Sequence, residues 1–283
     1  MKELRLKIKY FNIKDTLECG QLFRYKAYEN GYLVFSKEKC AYVRQSGEYT
    51  YIQSEDIDYF YNYFDFDKNY QEINEYISSQ EESILKISSS LANGIRLVNQ
   101  DVEEVAFSFI ISQNNNIPRI KLIIERLCKL VSNKKDFLGQ RYYAFPSAKQ
   151  ISMLSLEELK SIGLGYRAEY IYRLAKDIVN NRINLYNLKS YSIEELRKSL
   201  ISIYGIGPKV ADCIILFGYK REDSFPVDTW IEKVYREDFN GQIKERQKIS
   251  KYFVDRFKNY SGYVQQYLFY YKRSLENKKI TKK

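Results

Sequence analysis

The sequence predicts an α+β protein, with an N-terminal antiparallel sheet domain over residues 1–98 and a helical domain over residues 99–283. Two patterns support this fold class. The N-terminal part alternates apolar and polar residues with the period of two that is typical of half-buried strands. From about residue 100 the apolar residues recur every three or four positions, as on one face of a helix. Runs of strands followed by runs of helices characterise the α+β class.

The predicted strands are short β-rich runs. In LRLKIKY, the apolar residues at 4, 6, 8 and 10 alternate with basic residues at 5, 7 and 9. The later runs GYLVFS, CAYVRQ and YTYIQ are separated by ENG and QSGE turns. This arrangement predicts an antiparallel meander, followed by a short helical stretch rich in Tyr and Phe.

The predicted helices are marked by their start signals. Three Asp or Ser residues are each followed three positions later by Glu, the spacing of a capping box: Asp101 with Glu104, Ser155 with Glu158, and Ser192 with Glu195. Pro118 suits the first turn of a further helix, whose apolar stripe runs from Ile120 to Val131. The second part of the chain is therefore expected to be mostly helical.

The charge balance favours a polyanionic partner. Among 283 residues, 46 are Lys or Arg and 36 are Asp or Glu, which gives a net charge of +10. Such an excess steers a protein towards phosphates, although a basic surface that serves solubility also fits it. No apolar run approaches the roughly 20 residues that cross a bilayer, and the first residues, MKELRLKIKYF, lack the apolar centre of a signal peptide. A cytoplasmic protein without membrane association is expected, nucleoid-associated in a bacterium.

The residue types present limit the possible chemistry. The sequence contains no histidine, which excludes an imidazole base or a histidine-bound metal. Its four cysteines, at 19, 40, 128 and 213, lie far apart, which argues against disulfides, a zinc site or an iron-sulfur cluster. Catalysis would have to use Lys, Asp, Glu, Tyr or Cys, and no cofactor is expected.

Two segments repeat one pattern. SLEELKSIGLGYRAEY and SIEELRKSLISIYGIGPKVAD each lead from a capped helix through G-x-G into another helix. In the second copy, Gly205 and Gly207 permit close approach and leave the backbone N–H groups of the next helix free to hold a phosphate. An ordinary turn between helices explains the first copy about equally well.

Lys209 is a candidate nucleophile or phosphate anchor. It falls at the start of a predicted helix, where the positive end of the helix dipole disfavours its ammonium form. Cys213 lies four residues later, on the same helical face. Asp228, in FPVDTW, is a plausible helix cap, and a carboxylate beside a lysine would also stabilise positive charge developing on a sugar.

These residues carry a resemblance to a family. YGIGPKVADC followed by PVD resembles the helix-hairpin-helix DNA glycosylases of the HhH-GPD superfamily, and within it the 8-oxoguanine DNA glycosylases with AP lyase activity. CGQLFRY, FSFIISQNNNIPRI, LGLGYRAEY and YSGYVQQYLF are similar to further segments of that family, in the same order. The resemblance covers nearly the whole chain.

The resemblance implies a mechanism. Lys209 would attack C1′ of a nucleotide flipped out of duplex DNA, displace 8-oxoguanine and form a Schiff base that permits β-elimination. Asp228 would stabilise the oxocarbenium-like transition state and help to transfer protons. The implied partner is double-stranded DNA containing 8-oxoguanine, bound by a monomer.

The resemblance also implies a base pocket. The base would lie between Cys213 and Phe269, with its Watson–Crick edge at Gln265. The backbone carbonyl of Gly20 would accept the N7 hydrogen that 8-oxoguanine has and guanine lacks. From the residues alone, Phe269 is more typical of a core position, and Gln266 competes with Gln265 for the reading role.

The family fills the gap left by the flipped base with residues that match Asn114 and Tyr166 here, while Arg119 and Arg167 would donate to the orphaned cytosine. A preference for C opposite the lesion follows. From the residues alone, the three asparagines at 114–116 fit a turn between helices, and both arginines fit an ordinary surface.

The sequence departs from the family at Trp230, where better-known members carry a histidine close to a phosphate; an indole donates one hydrogen bond but has no charge. In the family, hairpin carbonyls matching Ile201, Ile203 and Ile206 can also hold a cation. Two alternatives remain: a glycosylase for another damaged base, and a non-catalytic DNA-binding protein in which Lys209 only contacts phosphate.

Overall fold

The N-terminal part forms one antiparallel sheet. A computed structural model describes residues 2–280, with side chains to residue 275. The strands are β1 (Lys2–Leu6), β2 (Tyr25–Tyr28), β3 (Gly31–Ser36), β4 (Lys39–Ser46) and β5 (Tyr49–Ser54). Their order in the sheet is β1-β5-β4-β3-β2, and each pair is antiparallel. The predicted meander is confirmed, with β1 added at the edge beside β5.

Helices make up most of the remaining chain. The first 100 residues contain α1 (Ile13–Glu18), α2 (Ile57–Tyr63), α3 (Tyr70–Ser78) and α4 (Ser83–Ala92). They are followed by α5 (Val102–Ser112), α6 (Ile117–Val131), α7 (Ala148–Ser152), α8 (Leu156–Leu159) and α9 (Arg167–Val179). The last are α10 (Ile193–Ile201), α11 (Pro208–Phe217), α12 (Thr229–Glu237), α13 (Arg246–Phe257) and α14 (Ser261–Ile280). A small hairpin of β6 (Lys134–Phe137) and β7 (Gln140–Tyr143) separates α6 from α7. The predicted α+β class is confirmed.

The two largest apolar clusters of the described residues form most of the protein core. One lies between the sheet and α1 and α2, where Val43, Ile52 and Phe60 are fully buried. The other lies among the helices around α5, which is apolar on nearly every side. A helix that is apolar all round belongs inside a protein, so α5 is the central helix against which α6, α9 and α11 pack.

Two of the three predicted capping boxes are confirmed, and one is wrong. Ser155 and Ser192 each exchange hydrogen bonds with the glutamate three residues later. Asp101 caps α5, but Glu104 turns inward instead of returning to the cap. Its carboxylate accepts hydrogen bonds from Arg24 at 3.2 Å and from the backbone N–H of Lys37 at 2.7 Å. A buried ion pair between sheet and helix therefore replaces the expected local bond.

The turn between α10 and α11 depends on a glycine. Gly205 has φ of +89°, and a Cβ there would lie 2.3 Å from the ring of Tyr170. Both the left-handed backbone and the close approach of α9 require glycine at this position. Gly207 then precedes α11, whose first residue is Pro208. The hairpin thereby delivers Lys209 to the first turn of a buried helix.

None of the helices that the structure describes is long and apolar enough to cross a membrane.

Candidate active site

The predicted pocket residues meet in one place. Gly20 lies in the loop after α1, and Lys209 and Cys213 lie in α11. Asp228 directly precedes α12, and Gln265 and Phe269 lie in α14. A small cavity of about 50 Å³ is lined by Gly20, Phe109, Lys209, Cys213, Phe217, Pro226, Asp228, Gln265, Gln266 and Phe269. Chain segments nearly 250 residues apart thus surround the side chain of Lys209.

Lys209 lies at the boundary between two spaces. Besides the small cavity, it lines a more open groove of about 390 Å³ together with Pro208, Asp212 and Arg246. Its Nζ lies 5.5 Å from the ring centroid of Phe109. The amine of Lys209 therefore lies between a small pocket on one side and a larger groove on the other.

The charge state of Lys209 differs from the sequence prediction. Burial acts to lower the pKa of Lys209, but Cys213 and Asp228 act to raise it, and the net direction is upward. Burial also raises the pKa of Cys213 to about 11, while the nearby Lys209 acts to lower it. The direction for Lys209 is therefore opposite to the one expected at the helix start, because Cys213 and the carboxylate of Asp228 favour the cation.

Asp228 caps a helix and also faces the pocket. Its Oδ1 caps α12 by accepting the backbone N–H groups of Trp230 at 2.9 Å and Ile231 at 3.0 Å. The same side chain lines the cavity beside Lys209. Because both cap bonds use one oxygen, the second carboxylate oxygen is available to the pocket while the cap holds the side chain in place.

The two adjacent glutamines have different surroundings. The Nε2 amide of Gln266 donates to the backbone carbonyl of Cys19 at 2.9 Å. The Nε2 amide of Gln265 donates to the carbonyl of Pro226 at 3.2 Å, whereas its buried Oε1 has no hydrogen-bond partner among the described residues. Gln265 thus presents an unused acceptor, while Gln266 supports the chain next to Gly20.

Gly20 and the ring of Phe269 lie close together in the wall of the cavity, which is too small for a purine. Gly20 has φ of +96°, and a Cβ there would lie 3.0 Å from Cε1 of Phe269. The resulting volume of about 50 Å³ is far below the roughly 300 Å³ at the lower end of typical ligand pockets. A purine can enter only if the ring of Phe269 moves off Gly20.

Two asparagines of the asparagine loop before α6, residues 114–116, make specific side-chain contacts. Asn114 adopts a left-handed backbone with φ of +46°, and its Nδ2 donates to the hydroxyl of Tyr166 at 3.1 Å. Asn116 caps α6 by accepting the N–H of Arg119 at 3.0 Å. The side chain of Tyr166 is 49% exposed. Asn114 and Tyr166 are therefore joined at the surface, as a wedge would require.

The two arginines of this region differ. Arg167 is buried, and its guanidinium donates to the backbone carbonyls of Gln113, Asn114 and Leu164. Arg119 is exposed, and its side chain has no hydrogen-bond partner among the described residues. In the free protein, Arg167 therefore supports the asparagine loop, whereas the guanidinium of Arg119 has no such contact.

The hairpin between α10 and α11 offers backbone N–H and C=O groups as candidate contacts for a phosphate or a cation. Gly207 has no side-chain cap, so the first N–H groups of α11 have no partner within their helix. Two of the candidate cation ligands, Ile203 and Ile206, are buried, and Ile201 is exposed. The carbonyl of Ile203 accepts the N–H of Ile206 at 3.0 Å. One of the three carbonyls is thus already used within the hairpin.

Sequence reasoning missed several residues of the pocket wall. Phe109 and Phe217 stack at 5.4 Å between centroids and line the cavity, but both read as core positions of apolar helices. Pro226, two residues before the Asp228 cap, also lines the cavity. The available signal was its place in PVD, because Asp228 in the same motif lines the cavity too.

Comparisons with known proteins agree with this geometry. The family model described as HhH-GPD superfamily base excision DNA repair protein matches residues 107–259. The model described as 8-oxoguanine DNA glycosylase, N-terminal domain, matches residues 3–105. Together the two matches span the sheet, the central helix and the hairpin with Lys209.

Among solved structures, the chain is similar to the Clostridium acetobutylicum 8-oxoguanine glycosylase/lyase in complex with double-stranded DNA containing cytosine opposite 8-oxoguanine. The two chains are 33% identical, with a TM-score of 0.91, and the match covers 98% of this chain and 99% of that one.

The curated relatives are longer proteins. The N-glycosylase/DNA lyase of Saccharomyces cerevisiae is 34% identical over 52% of this chain and 42% of its own length. The N-glycosylase/DNA lyase of Arabidopsis thaliana is 32% identical over 62% of this chain and 51% of its own length. The chain thus spans about half the length of the curated relatives it matches.

Proposed function

The chain belongs to the HhH-GPD superfamily of base excision DNA repair proteins, and we propose that it removes 8-oxoguanine from duplex DNA and then cleaves the strand. The observation that carries this proposal is the convergence of Lys209, Asp228 and the unused acceptor of Gln265 on one small pocket. One protein that is similar over almost the whole length is an 8-oxoguanine glycosylase/lyase. The net charge of +10 suits a DNA partner.

The two spaces beside Lys209 suit a flipped nucleotide. The base would enter the small pocket once Phe269 moves, and the sugar and phosphate would lie in the open groove. C1′ would then lie where pocket and groove meet, next to Nζ of Lys209. The backbone N–H groups after Gly207 would hold a neighbouring phosphate.

The chemistry begins with removal of a proton from Lys209. The free amine attacks C1′, the bond between C1′ and N9 breaks, and the base leaves with the bonding electrons and takes up a proton. Asp228 stabilises the positive charge that develops on the sugar. The sugar ring then opens to a Schiff base, loss of a C2′ proton follows, and the C3′–O bond breaks. The same lysine therefore serves excision and strand cleavage.

Recognition of the lesion depends on hydrogen-bond direction. The Oε1 of Gln265 would accept donors on the Watson–Crick edge, and Cys213 and Phe269 would enclose the ring faces. The carbonyl of Gly20 would accept the N7 hydrogen of 8-oxoguanine and repel the lone pair at N7 of guanine.

Opposite the lesion, Asn114 and Tyr166 would occupy the gap in the duplex, and Arg119 would donate to the acceptors of cytosine. Arg167 would act indirectly by supporting the asparagine loop. A preference for C opposite the lesion follows from the free donors of Arg119.

Product analysis with a matched pair of variants tests the function. A duplex with 8-oxoguanine opposite C is incubated with the wild type, Lys209→Gln or Lys233→Gln, and both free base and nicked strand are measured. Lys233 is an exposed lysine whose Nζ lies 5.1 Å from the ring of Trp230, outside the pocket. Lys209→Gln should lower base release and nicking on the order of 10³-fold or more, while Lys233→Gln should remain active.

The outcomes separate the alternatives. The same assay on duplexes with other damaged bases tests the specificity: release of one of these bases, but not of 8-oxoguanine, would indicate a different glycosylase. Binding of 8-oxoguanine duplex by the wild type without release of any base would indicate a non-catalytic DNA-binding protein, and would contradict the proposed function.

A further inference from the structure

We propose that Arg273 is an additional specificity residue, which donates a hydrogen bond to the C8 oxygen of 8-oxoguanine. The proposal rests on the proposed function and adds a second contact to the one expected at N7. It concerns a residue on α14 that lies one turn beyond Phe269.

The first observation is a pair of unused polar atoms. In the described part of the chain, two buried side-chain polar atoms have no hydrogen-bond partner: Oε1 of Gln265 and Nη1 of Arg273. Buried polar atoms are nearly always paired, so an unpaired one requires an explanation. One of these atoms is an acceptor that lines the pocket, and the other is a donor on the same helix.

The second observation is their alignment. Gln265, Phe269 and Arg273 are spaced by four residues and lie along one face of α14. The guanidinium carbon of Arg273 lies 5.5 Å from the ring centroid of Phe269. If the ring of Phe269 stacks on a purine, the acceptor of Gln265 would therefore lie toward one edge of the base. The donor of Arg273 would lie toward the opposite edge.

The third observation is the position of Nη1 next to Gly20. A Cβ built on Gly20 would lie 3.0 Å from Nη1 of Arg273 and 3.0 Å from Cε1 of Phe269. The edge of the Phe269 ring and the guanidinium thus share the space in front of Gly20. When the ring moves to admit a base, Nη1 borders the space that the ring leaves.

The fourth observation concerns the carbonyls around Gly20. Side chains already donate to the carbonyls of its neighbours: Nη2 of Arg273 to Glu18, Nε2 of Gln266 to Cys19, and Nε2 of Gln100 to Gln21. No described residue donates to the carbonyl of Gly20 itself. The loop is held on both sides of this free carbonyl, and one of the groups that hold it is Arg273.

These contacts place a hydrogen-bond acceptor, the carbonyl of Gly20, beside a hydrogen-bond donor, Nη1 of Arg273. In 8-oxoguanine the N7 hydrogen and the C8 oxygen are adjacent, as the N–H and C=O of an amide are. The carbonyl of Gly20 would accept from N7, and Nη1 of Arg273 would donate to the C8 oxygen. Guanine has a lone pair at N7 and a hydrogen at C8, so it would meet repulsion at Gly20 and leave the buried donor of Arg273 unpaired.

Binding measurements in a catalytically inactive background test this assignment. The Lys209→Gln protein and the Lys209→Gln/Arg273→Met protein are titrated with duplexes that carry 8-oxoguanine, guanine or a tetrahydrofuran abasic analogue opposite C. Arg273→Met should weaken binding of the 8-oxoguanine duplex about 10-fold and leave binding of the abasic duplex unchanged. An unchanged affinity for 8-oxoguanine, or an equal loss on both duplexes, would overturn the proposal.

A second substrate separates the two oxygens of the lesion. 7-Deazaguanine keeps O6 and the Watson–Crick donors of guanine but has a C–H group in place of N7 and no oxygen at C8. Arg273→Met should not weaken binding of this base; a loss equal to that with 8-oxoguanine would assign the contact to O6 and contradict the assignment to the C8 oxygen.

Two controls complete the design. Lys272→Met removes a charge from the adjacent residue, which pairs with Glu237 and Asp238 on the side of α12, and should not alter lesion preference. Arg273→Gln, a shorter polar replacement, repeats the test if the methionine variant does not fold. If the Lys209→Gln protein does not prefer 8-oxoguanine to guanine, the proposed function itself fails, whatever Arg273 does.

Discussion

The base pocket and the asparagine loop differ in how far their final arrangement exists without DNA. In the pocket, Gly20, Lys209 and Asp228 are held by buried contacts from several elements. Beside the loop, Arg119 and Tyr166 are exposed at the surface. On the proposed function, the pocket would be arranged for chemistry before DNA binds, apart from the ring of Phe269, whereas the residues at the loop would find their partners in the DNA.

This difference explains why changes in the two regions should have different effects. A change in the pocket should act on base excision, because it alters groups that contact the lesion. A change in the loop should act on the choice of the opposite base, because its free donors face the other strand.

The largest effect is expected from Gly20→Ala. Its positive φ is unfavourable for alanine, and the added methyl group would lie 3.0 Å from both Phe269 and Arg273. Excision of 8-oxoguanine should fall by about 100-fold or more, because the base can no longer approach the carbonyl. Strand cleavage at a preformed abasic site should be retained, since it does not require a base in the pocket. Single-turnover assays on both substrates measure the two steps.

Gly139→Ala is the matched control for the backbone. Gly139 also has a positive φ, of +69°, but a Cβ there would contact nothing within 4 Å. This variant should lose some stability and keep its preference for the lesion. Equal loss of excision in both variants would show that backbone strain, and not the pocket, causes the effect of Gly20→Ala.

The next largest effect is expected in the pH dependence of the excision rate. Because the pKa of Lys209 is raised above its usual value, the amine is protonated at neutral pH, and the fraction of free amine grows as pH rises. The single-turnover rate should therefore increase about tenfold per pH unit between pH 7 and pH 9. Asp228→Asn removes the carboxylate that favours the ammonium form, so this variant should be slower but should reach its plateau at lower pH. A wild-type rate that does not change with pH would indicate that deprotonation of Lys209 does not limit excision.

The smallest effect is expected from Arg119→Ala. Loss of its free donors should reduce the preference for C over the other three opposite bases by about 10-fold, with little change in strand cleavage at an abasic site. Relative excision rates across the four opposite bases provide the measurement.

Arg167→Met provides the contrast to Arg119. Its guanidinium holds the carbonyls of Gln113 and Asn114, so its loss should loosen the loop and slow excision opposite every base alike. If Arg167→Met changed the preference for C more than Arg119→Ala does, the assignment of the two arginines would be reversed.

The sequence predicted much of the pocket because its residues belong to local patterns. Lys209 and Cys213 share a helical face, Asp228 begins a helix, and Gln265 and Phe269 are four residues apart. Each pattern defines the direction of a side chain within its own element. The resemblance to a family then indicated which of these elements meet.

The errors arose where distant segments decide the outcome. Glu104 pairs with Arg24 across 80 residues, which no capping pattern reveals. Burial acts to lower the pKa of Lys209, and Cys213 and Asp228 act to raise it, with Asp228 coming from a different element. Gln266 and Arg273 contact the loop around Gly20 across about 250 residues, so their roles could be found only from the packed structure.

The most direct test of the account is covalent trapping at Lys209. A duplex with 8-oxoguanine opposite C is incubated with the protein and sodium borohydride, and the adduct is located by peptide mapping. The account predicts a reduced protein–DNA adduct on Lys209 that is absent in Lys209→Gln, while this variant still binds the lesion in a gel-shift assay. An adduct on another residue, or release of 8-oxoguanine without any adduct, would contradict the role of Lys209 as the nucleophile.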